Sequence, residues 1–216
     1  MTDDGFTVFL VDDDADVLKA LARLLRASGY DSREFASSKD FLREHDASMP
    51  GCAVFDVAMP DLDGLALQQA LAAKGIERPV IFLTGRGDIP TTVRAMKAGA
   101  VDFLTKPVDA DALLAAIDNA RERESRDREA RAEMDFFIAK LGTLTPRERE
   151  VFGHVIAGRL NKQIAYDLGT VVKTIKVHRT RMMEKMGVRS LAALVRLAER
   201  AGIEATPHEV IRNRWP

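Results

Sequence analysis

Two periodicities alternate along the first half of the chain. Short apolar, β-branched runs lie at residues 7–11, 51–55, 79–83 and 101–104, and a more polar run at 31–35 has the length of a strand. Between them lie stretches with helical spacing, at 14–27, 38–44, 65–74 and 90–98. In the first of these, Val17, Leu18, Leu21, Leu24 and Leu25 recur at intervals of three and four, which puts them on one helical face. Ser28-Gly29 then supplies a stop. Five strands alternating with helices predict βαβ units, hence an α/β fold with a parallel, doubly wound sheet covered on both faces.

The pattern changes after residue 108. A helical stretch from 109 to 140 begins with Leu113, Leu114 and Ile117, which can pack on the sheet. It continues as 11 charges in the 15 residues 121–135, without proline or glycine. Glu122–Arg126, Glu124–Arg128 and Asp127–Arg131 place acid before base at i,i+4, an order that supports an exposed helix. A flexible charged linker is the alternative. Met134, Phe137 and Leu141 near its end could pack on a partner. Beyond it the chain predicts four short helices. Thr145-Pro146-Arg147-Glu148 is a capping box that opens the first, which Gly158 ends. Asn161 is expected to cap a second at 162–168, ended by Gly169. A third runs over 171–186 to Gly187, and a fourth from Ser190 to near Gly202. Two short helices joined by a tight glycine-containing turn make a helix-turn-helix. Residues 204–216 show no clear pattern.

Composition sharpens this into two units. A chain of 216 residues suits one large domain or two modest ones. The net charge of −1 conceals a split: residues 1–110 carry 12 basic and 18 acidic groups, residues 141–216 carry 14 and 7. The basic unit could face nucleic acid; surface charge that simply drifted is the bland alternative. No apolar run approaches the roughly 18 residues of a membrane helix. The acidic start lacks the form of a secretion signal, and a single cysteine, Cys52, excludes an internal disulfide framework and a multi-cysteine zinc site. A cytoplasmic location and a buried, inert Cys52 are expected.

Polar residues stand just past the apolar strands: Asp12 and Asp13 after 7–11, Asp56 after 51–55, Thr84 after 79–83, and Lys106 after 101–104. In an open α/β sheet ligands sit at the carboxyl ends of strands, so these residues should converge. Three close carboxylates need a cation, and an all-oxygen donor set suits Mg²⁺. A carboxylate held beside an ammonium is a candidate nucleophile for phosphoryl transfer. Each residue also has a plain alternative: Asp12 or Asp13 as a helix cap, Asp56 as a turn residue, Phe103 as a core aromatic. Asp14 reads as an N-cap, and Asp61 and Asp63 as turn residues. In the basic unit, Ile175, Met182 and Met186 form an inward stripe on one helix, and Lys176, Val177 and Thr180 lie on the opposite face. A helix of this kind fits the major groove.

Val11-Asp12-Asp13, Asp56-Val57-Ala58-Met59-Pro60 with Gly64, Thr84-Gly85 and Lys106-Pro107 together resemble the receiver domain of two-component response regulators, over residues 6–120. The resemblance implies a flavodoxin-like five-stranded fold. It makes Asp56 the phosphoacceptor, with Asp13, Asp56 and the Ala58 carbonyl as Mg²⁺ ligands and Asp12 acting on the metal through water. It further implies that Thr84 and Lys106 bind the phosphoryl group, that Phe103 is a switch aromatic turning inward with Thr84, and that the Lys106–Pro107 bond is cis. In this family the second residues after the acceptor and after the threonine tune phosphoryl lifetime. Here they are Ala58 and Arg86, which leads us to expect slow autodephosphorylation.

Leu144-Thr145-Pro146-Arg147-Glu148-Arg149-Glu150-Val151, Asn161-Lys162-Gln163-Ile164-Ala165, Thr174-Ile175-Lys176-Val177-His178 and Met183-Glu184-Lys185-Met186-Gly187-Val188 resemble the LuxR-type helix-turn-helix, over about 144–198. The pairing resembles the NarL/FixJ family, closest to the FixJ subgroup that includes regulators of styrene and toluene catabolism. It implies a receiver at 1–120, a charged helical linker at 121–140, an all-α four-helix DNA-binding domain at 141–203 and a tail at 204–216. Lys176, Val177 and Thr180 would face the groove, and Lys162, Arg179 and Arg181 the phosphates. The implied partners are a sensor histidine kinase, double-stranded promoter DNA, a second copy of the chain and RNA polymerase. One departure is Val171, where the family usually has a capping serine; Thr170 could cap instead, or the first turn could fray. Two other function classes remain: an aspartyl-phosphate hydrolase, which needs a carboxylate where Ala58 stands, and a receiver that signals through protein contacts alone.

Overall fold

The apolar runs of the first half become strands of one parallel sheet. In the computed structural model, which describes residues 5–85 and 89–206, β1 (Thr7–Val11), β2 (Asp31–Phe35), β3 (Gly51–Asp56), β4 (Val80–Thr84) and β5 (Asp102–Thr105) form a five-stranded sheet in the order β2-β1-β3-β4-β5. Every neighbouring pair is parallel. The order explains the sequence pattern. β1, β3 and β4 are the inner strands and are buried throughout, so they read as continuous apolar runs. β2 is an edge strand in which only Phe35 is fully buried, so it carries polar residues.

Helices α1 (Ala15–Ala27), α2 (Ser38–Glu44), α3 (Gly64–Ala73), α4 (Ile89–Lys97) and α5 (Ala110–Gly142) follow the strands. Side chains alternate across each strand, so the sheet has two separate cores. Val8, Leu10, Val54 and Leu83 pack with Leu18, Leu25, Leu113 and Ile117 on the face of α1 and α5. Phe9, Val11, Phe55 and Phe82 pack with Phe41, Leu67, Leu71 and Ala95 on the face of α2, α3 and α4. That second core contains a row of phenylalanine rings: Phe41 and Phe55 are 5.3 Å apart, Phe55 and Phe82 6.3 Å, and Phe82 and Phe103 6.2 Å. These spacings suit edge-on and tilted aromatic contacts.

Asp14 caps α1 through the Asp16 and Val17 N–H groups. Asp63, expected in a turn, caps α3 by accepting from the Ala66 N–H at 2.7 Å. Asp61 pairs instead with Lys39 at 3.0 Å.

The chain divides into two compact units, Met1–Arg128 and Glu129–Pro216. The charged stretch is helical throughout, within the 33-residue α5. Its ion pairs differ from the expected set. Glu124 does meet Arg128 at 3.8 Å, but Arg126 donates to the Glu122 carbonyl, and Asp127 lies beside Arg123. The second unit contains α6 (Pro146–Ile156), α7 (Asn161–Asp167), α8 (Val172–Met186) and α9 (Leu191–Arg200). Val151, Phe152, Ile164, Ile175, Met182, Met186 and Leu194 make its core. Phe137 completes that core from the end of α5, with Met134 and Leu141 beside it, so the three apolar residues foreseen for a partner are used within this unit.

Two helix starts correct the sequence reading. Asn161 does not cap α7: it is the first helical residue, and Leu160 holds the cap position, its N–H donating to Gln163 Oε1 at 2.8 Å. Asn161 Oδ1 instead accepts from Arg179 at 3.1 Å, a partner 18 residues away that local rules could not show. At α8 Thr170 is not the cap. Val171 occupies the N-cap with no side-chain bond, and Thr170 lies before it. Arg86, invoked for phosphoryl lifetime, and the tail from 207 onward lie outside the described residues.

Candidate functional site

The carboxyl ends of four adjacent strands build one acidic pocket. Val11 is level with Phe55, Asp56 with Leu83, and Thr84 with Thr105. The residues just past those positions therefore share one edge of the sheet, as the sequence predicted. Asp12 and Asp56 are buried, and Asp13 is exposed at the mouth. One carboxylate oxygen from each of the three lies within 4.8 Å of the others.

Lys106 joins the outer strand to the two inner ones. Its Nζ lies 2.6 Å from Asp12 Oδ2 and 2.8 Å from Asp56 Oδ1. Burial pulls the ammonium pKa down, but the hydrogen bonds and charges of Asp12 and Asp56 outweigh it and hold the group above its ordinary value. The remaining oxygens are held by the backbone. Asp12 Oδ1 accepts from the Asp14 N–H at 3.0 Å, and Asp56 Oδ2 accepts from the Ala58 N–H at 2.8 Å. Thr84 is buried at the end of β4, and its carbonyl accepts from the Lys106 N–H at 2.7 Å. The Lys106–Pro107 bond is cis. Phe103 is half-buried on β5, at the end of the phenylalanine row.

This donor set suits a hard divalent cation. Three carboxylates against one ammonium leave net negative charge, and every side-chain donor is oxygen. Gly64 is needed close by, because a Cβ there would lie 2.5 Å from the Asp56 carbonyl oxygen. The sequence places Gly64 in the motif without showing this reason.

The second unit presents a basic helix in the expected orientation. Ile175, Met182 and Met186 of α8 are buried, while Lys176, Val177 and Thr180 are exposed. Lys162 on α7 and Arg181 on α8 are also exposed. Arg179 is half-buried and held by Asn161. Lys185, also on α8, bonds Glu148 at 2.6 Å. Glu148 in turn accepts from the Thr145 N–H, completing the capping box. The sequence did not single out His154, which is buried in the same unit with its Nδ1 3.8 Å from Asp167. Burial lowers its pKa, and Asp167 only partly offsets this.

Comparison with known proteins covers both units. Residues 8–118 match the response regulator receiver domain, and residues 142–198 match the bacterial regulatory proteins of the luxR family. Nodulation protein W of Bradyrhizobium diazoefficiens is 43% identical over 94% of this chain and 89% of its own length. The transcriptional regulatory protein FixJ of Azorhizobium caulinodans is 42% identical over 94% of this chain and 99% of its own. Among solved structures, the response regulator StyR is 44% identical with a TM-score of 0.76, covering 90% of this chain and 98% of that one. Among the described residues, no helix is long and apolar enough to cross a membrane.

Proposed function

The chain belongs to the NarL/FixJ family of response regulators, and we propose that phosphorylation of Asp56 by a sensor histidine kinase controls its assembly on promoter DNA. The observation that carries this reading is the double pairing of Lys106 with Asp12 and Asp56, in one chain with an exposed basic helix.

Asp56 Oδ1 acts as the nucleophile. It attacks the phosphorus of a phosphohistidine, the new O–P bond forms as the P–N bond breaks, and the imidazole leaves with the electron pair. Asp12, Asp13, Asp56 and the Ala58 carbonyl would hold Mg²⁺, which supplies charge neutralisation for the transferring group. Lys106 already lies 2.8 Å from the attacking oxygen, and its ammonium moves its hydrogen bond from carboxylate to phosphoryl oxygen. The Thr84 hydroxyl turns to donate to the same group, and Phe103 moves inward into the space it leaves. Charge arriving at the pocket thereby alters the surface of α4 and β5. That surface then favours a dimer or releases the DNA-binding domain.

The receiver occupies 1–120, the linker 121–140 and the DNA-binding domain 141–203. Lys176, Val177 and Thr180 face base edges, and Lys162, Arg179 and Arg181 meet phosphates. The chain is a phosphoacceptor rather than a turnover enzyme, since Ala58 puts no carboxylate where an aspartyl-phosphate hydrolase needs its acid.

Molecular mass and promoter binding, measured before and after acetyl phosphate, test the proposal. A rise in both for the wild type and in neither for Asp56→Asn is expected; equal responses in the two would overturn it. Lys176→Glu is expected to abolish binding. Unchanged affinity in that variant would overturn the assignment of Lys176 to the groove, and no promoter binding by the wild type would leave a receiver that works through protein contacts.

A further inference from the structure

The start of the recognition helix combines a missing side-chain cap with two adjacent exposed valines, and the combination suggests what it reads. At five helices an oxygen side chain receives the first N–H groups: Asp14 at α1, Ser37 at α2, Asp63 at α3, Thr145 at α6 and Ser190 at α9, whereas α7 starts on Leu160, whose side chain accepts nothing. At α8 the N-cap is Val171, whose side chain accepts nothing. Its backbone alone opens the helix, through the carbonyl that the Thr174 and Ile175 N–H groups reach. A serine here would stabilise the helix, so the valine is held at a cost to folding. Nor does it serve the core: Val171 is 64% exposed and Val172, the next residue, 37%.

Two adjacent valines therefore offer apolar surface to solvent at the end of the helix that enters the groove. In helix-turn-helix proteins the N-terminal residues of the recognition helix meet base edges. Around them stand the exposed charges of Lys173, Lys176 and Lys162, which select a polyanion rather than an apolar protein surface. The apolar feature of a major groove is the C5-methyl group of thymine. Valine suits that contact, because its χ1 is already restricted and little rotamer freedom is lost on docking.

From this placement we infer that Val171 and Val172 read thymine methyl groups, which makes them specificity-determining residues next to Lys176 and Val177. The inference rests on the DNA-binding reading and deepens it. It assigns thymine to the positions touched by the start of α8.

The test uses the full chain treated with acetyl phosphate. Sites are selected from a pool of random duplexes. The most enriched duplex is then remade with each thymine in turn replaced by uracil, which removes only the methyl. Wild type, Val171→Ser and Val172→Ser are titrated against the set by fluorescence anisotropy. The wild type should lose about fourfold in affinity at one or two thymines, the factor expected for a single buried methyl-sized group. A serine variant should bind the thymine and uracil duplexes equally at its position. Val171→Ser restores a capping oxygen, so its melting temperature should equal or exceed that of the wild type, which separates lost contact from lost folding. Indifference of the wild type to every uracil, or an undiminished loss in both serine variants, overturns the inference and leaves DNA binding intact. Enrichment of no duplex at all removes the DNA-binding reading and the inference with it.

Discussion

Gly64 stands so close to Asp56 that the proposed phosphoacceptor depends on a missing side chain. A Cβ there would lie 2.5 Å from the Asp56 carbonyl oxygen and 3.1 Å from the Phe82 ring, one at the pocket and the other in the phenylalanine row. Gly64→Ala must therefore shift the end of β3 or the start of α3. It is expected to cost about 1–3 kcal/mol, the usual penalty of overpacking, read by urea denaturation. Acetyl phosphate should label the folded variant more slowly than wild type, and equal rates would show that the loop gives way without moving Asp56. Cys52 shows the opposite case, a residue whose behaviour the sequence foretold. It lies fully buried on β3, and burial pushes its thiol up to about 12. Native protein at pH 8 is expected to leave a thiol reagent unconsumed, with one equivalent reacting in urea. Asp12, Asp13, Asp56, Thr84 and Lys106 were legible because each follows an apolar strand, and strand ends in a parallel sheet meet at one edge. The Ala58 N–H bond to Asp56 and the contact at Gly64 were not, because both depend on the path of a loop.

At the scale of elements, α6 and α8 are tied by one ion pair. Lys185 on α8 bonds Glu148 on α6, and Glu148 also takes the Thr145 N–H. The Lys185 hydrogen bond first, and the Thr145 N–H next, hold the Glu148 carboxyl down to about 2, from an ordinary 4.5. A depressed carboxyl stabilises fully above its unfolded value and loses that contribution as pH falls through the folded one. The brace should therefore hold at pH 7 and fade between about 4.5 and 2. Glu148→Gln is expected to lose about 1–3 kcal/mol at neutral pH, as for other bonds to charged groups. The gap between the melting curves of the two proteins should narrow as pH drops from 5 to 3; a constant gap would mean the carboxylate charge contributes nothing. The capping box half of this arrangement was legible from Thr145 and Glu148 alone. The Lys185 half was not, since 37 residues separate the partners. Distance in sequence hid the role of Asn161 in the same way: a good capping residue by type, it was drawn into the helix, where Arg179 could bond it.

Across the whole molecule, the near-zero net charge is the sum of an acidic unit, for which a cation and phosphate are proposed, and a basic unit, for which DNA is proposed. The division matters because DNA affinity depends on local charge. A bound cationic side chain displaces counterions from the duplex, and each neutralised phosphate adds about 0.9 to the slope of log affinity against log salt. Lys162, Arg179 and Arg181 are the proposed phosphate contacts, and they differ in freedom. Lys162 and Arg181 are exposed, whereas Arg179 is half-buried and aimed by Asn161. Arg181→Ala should therefore reduce the salt slope by about 0.9 per bound copy and weaken all sequences alike. Asn161→Ala removes no charge. It should lower affinity with little change in slope if Arg179 still reaches its phosphate, and should lower the slope as Arg181→Ala does if Asn161 is what holds Arg179 there. Fluorescence anisotropy from 50 to 300 mM salt, on the phosphorylated chain, separates these outcomes. A wild-type slope that Arg181→Ala leaves unchanged would take Arg181 out of the interface, and the exposed basic face of α8 would then be only a solvated surface.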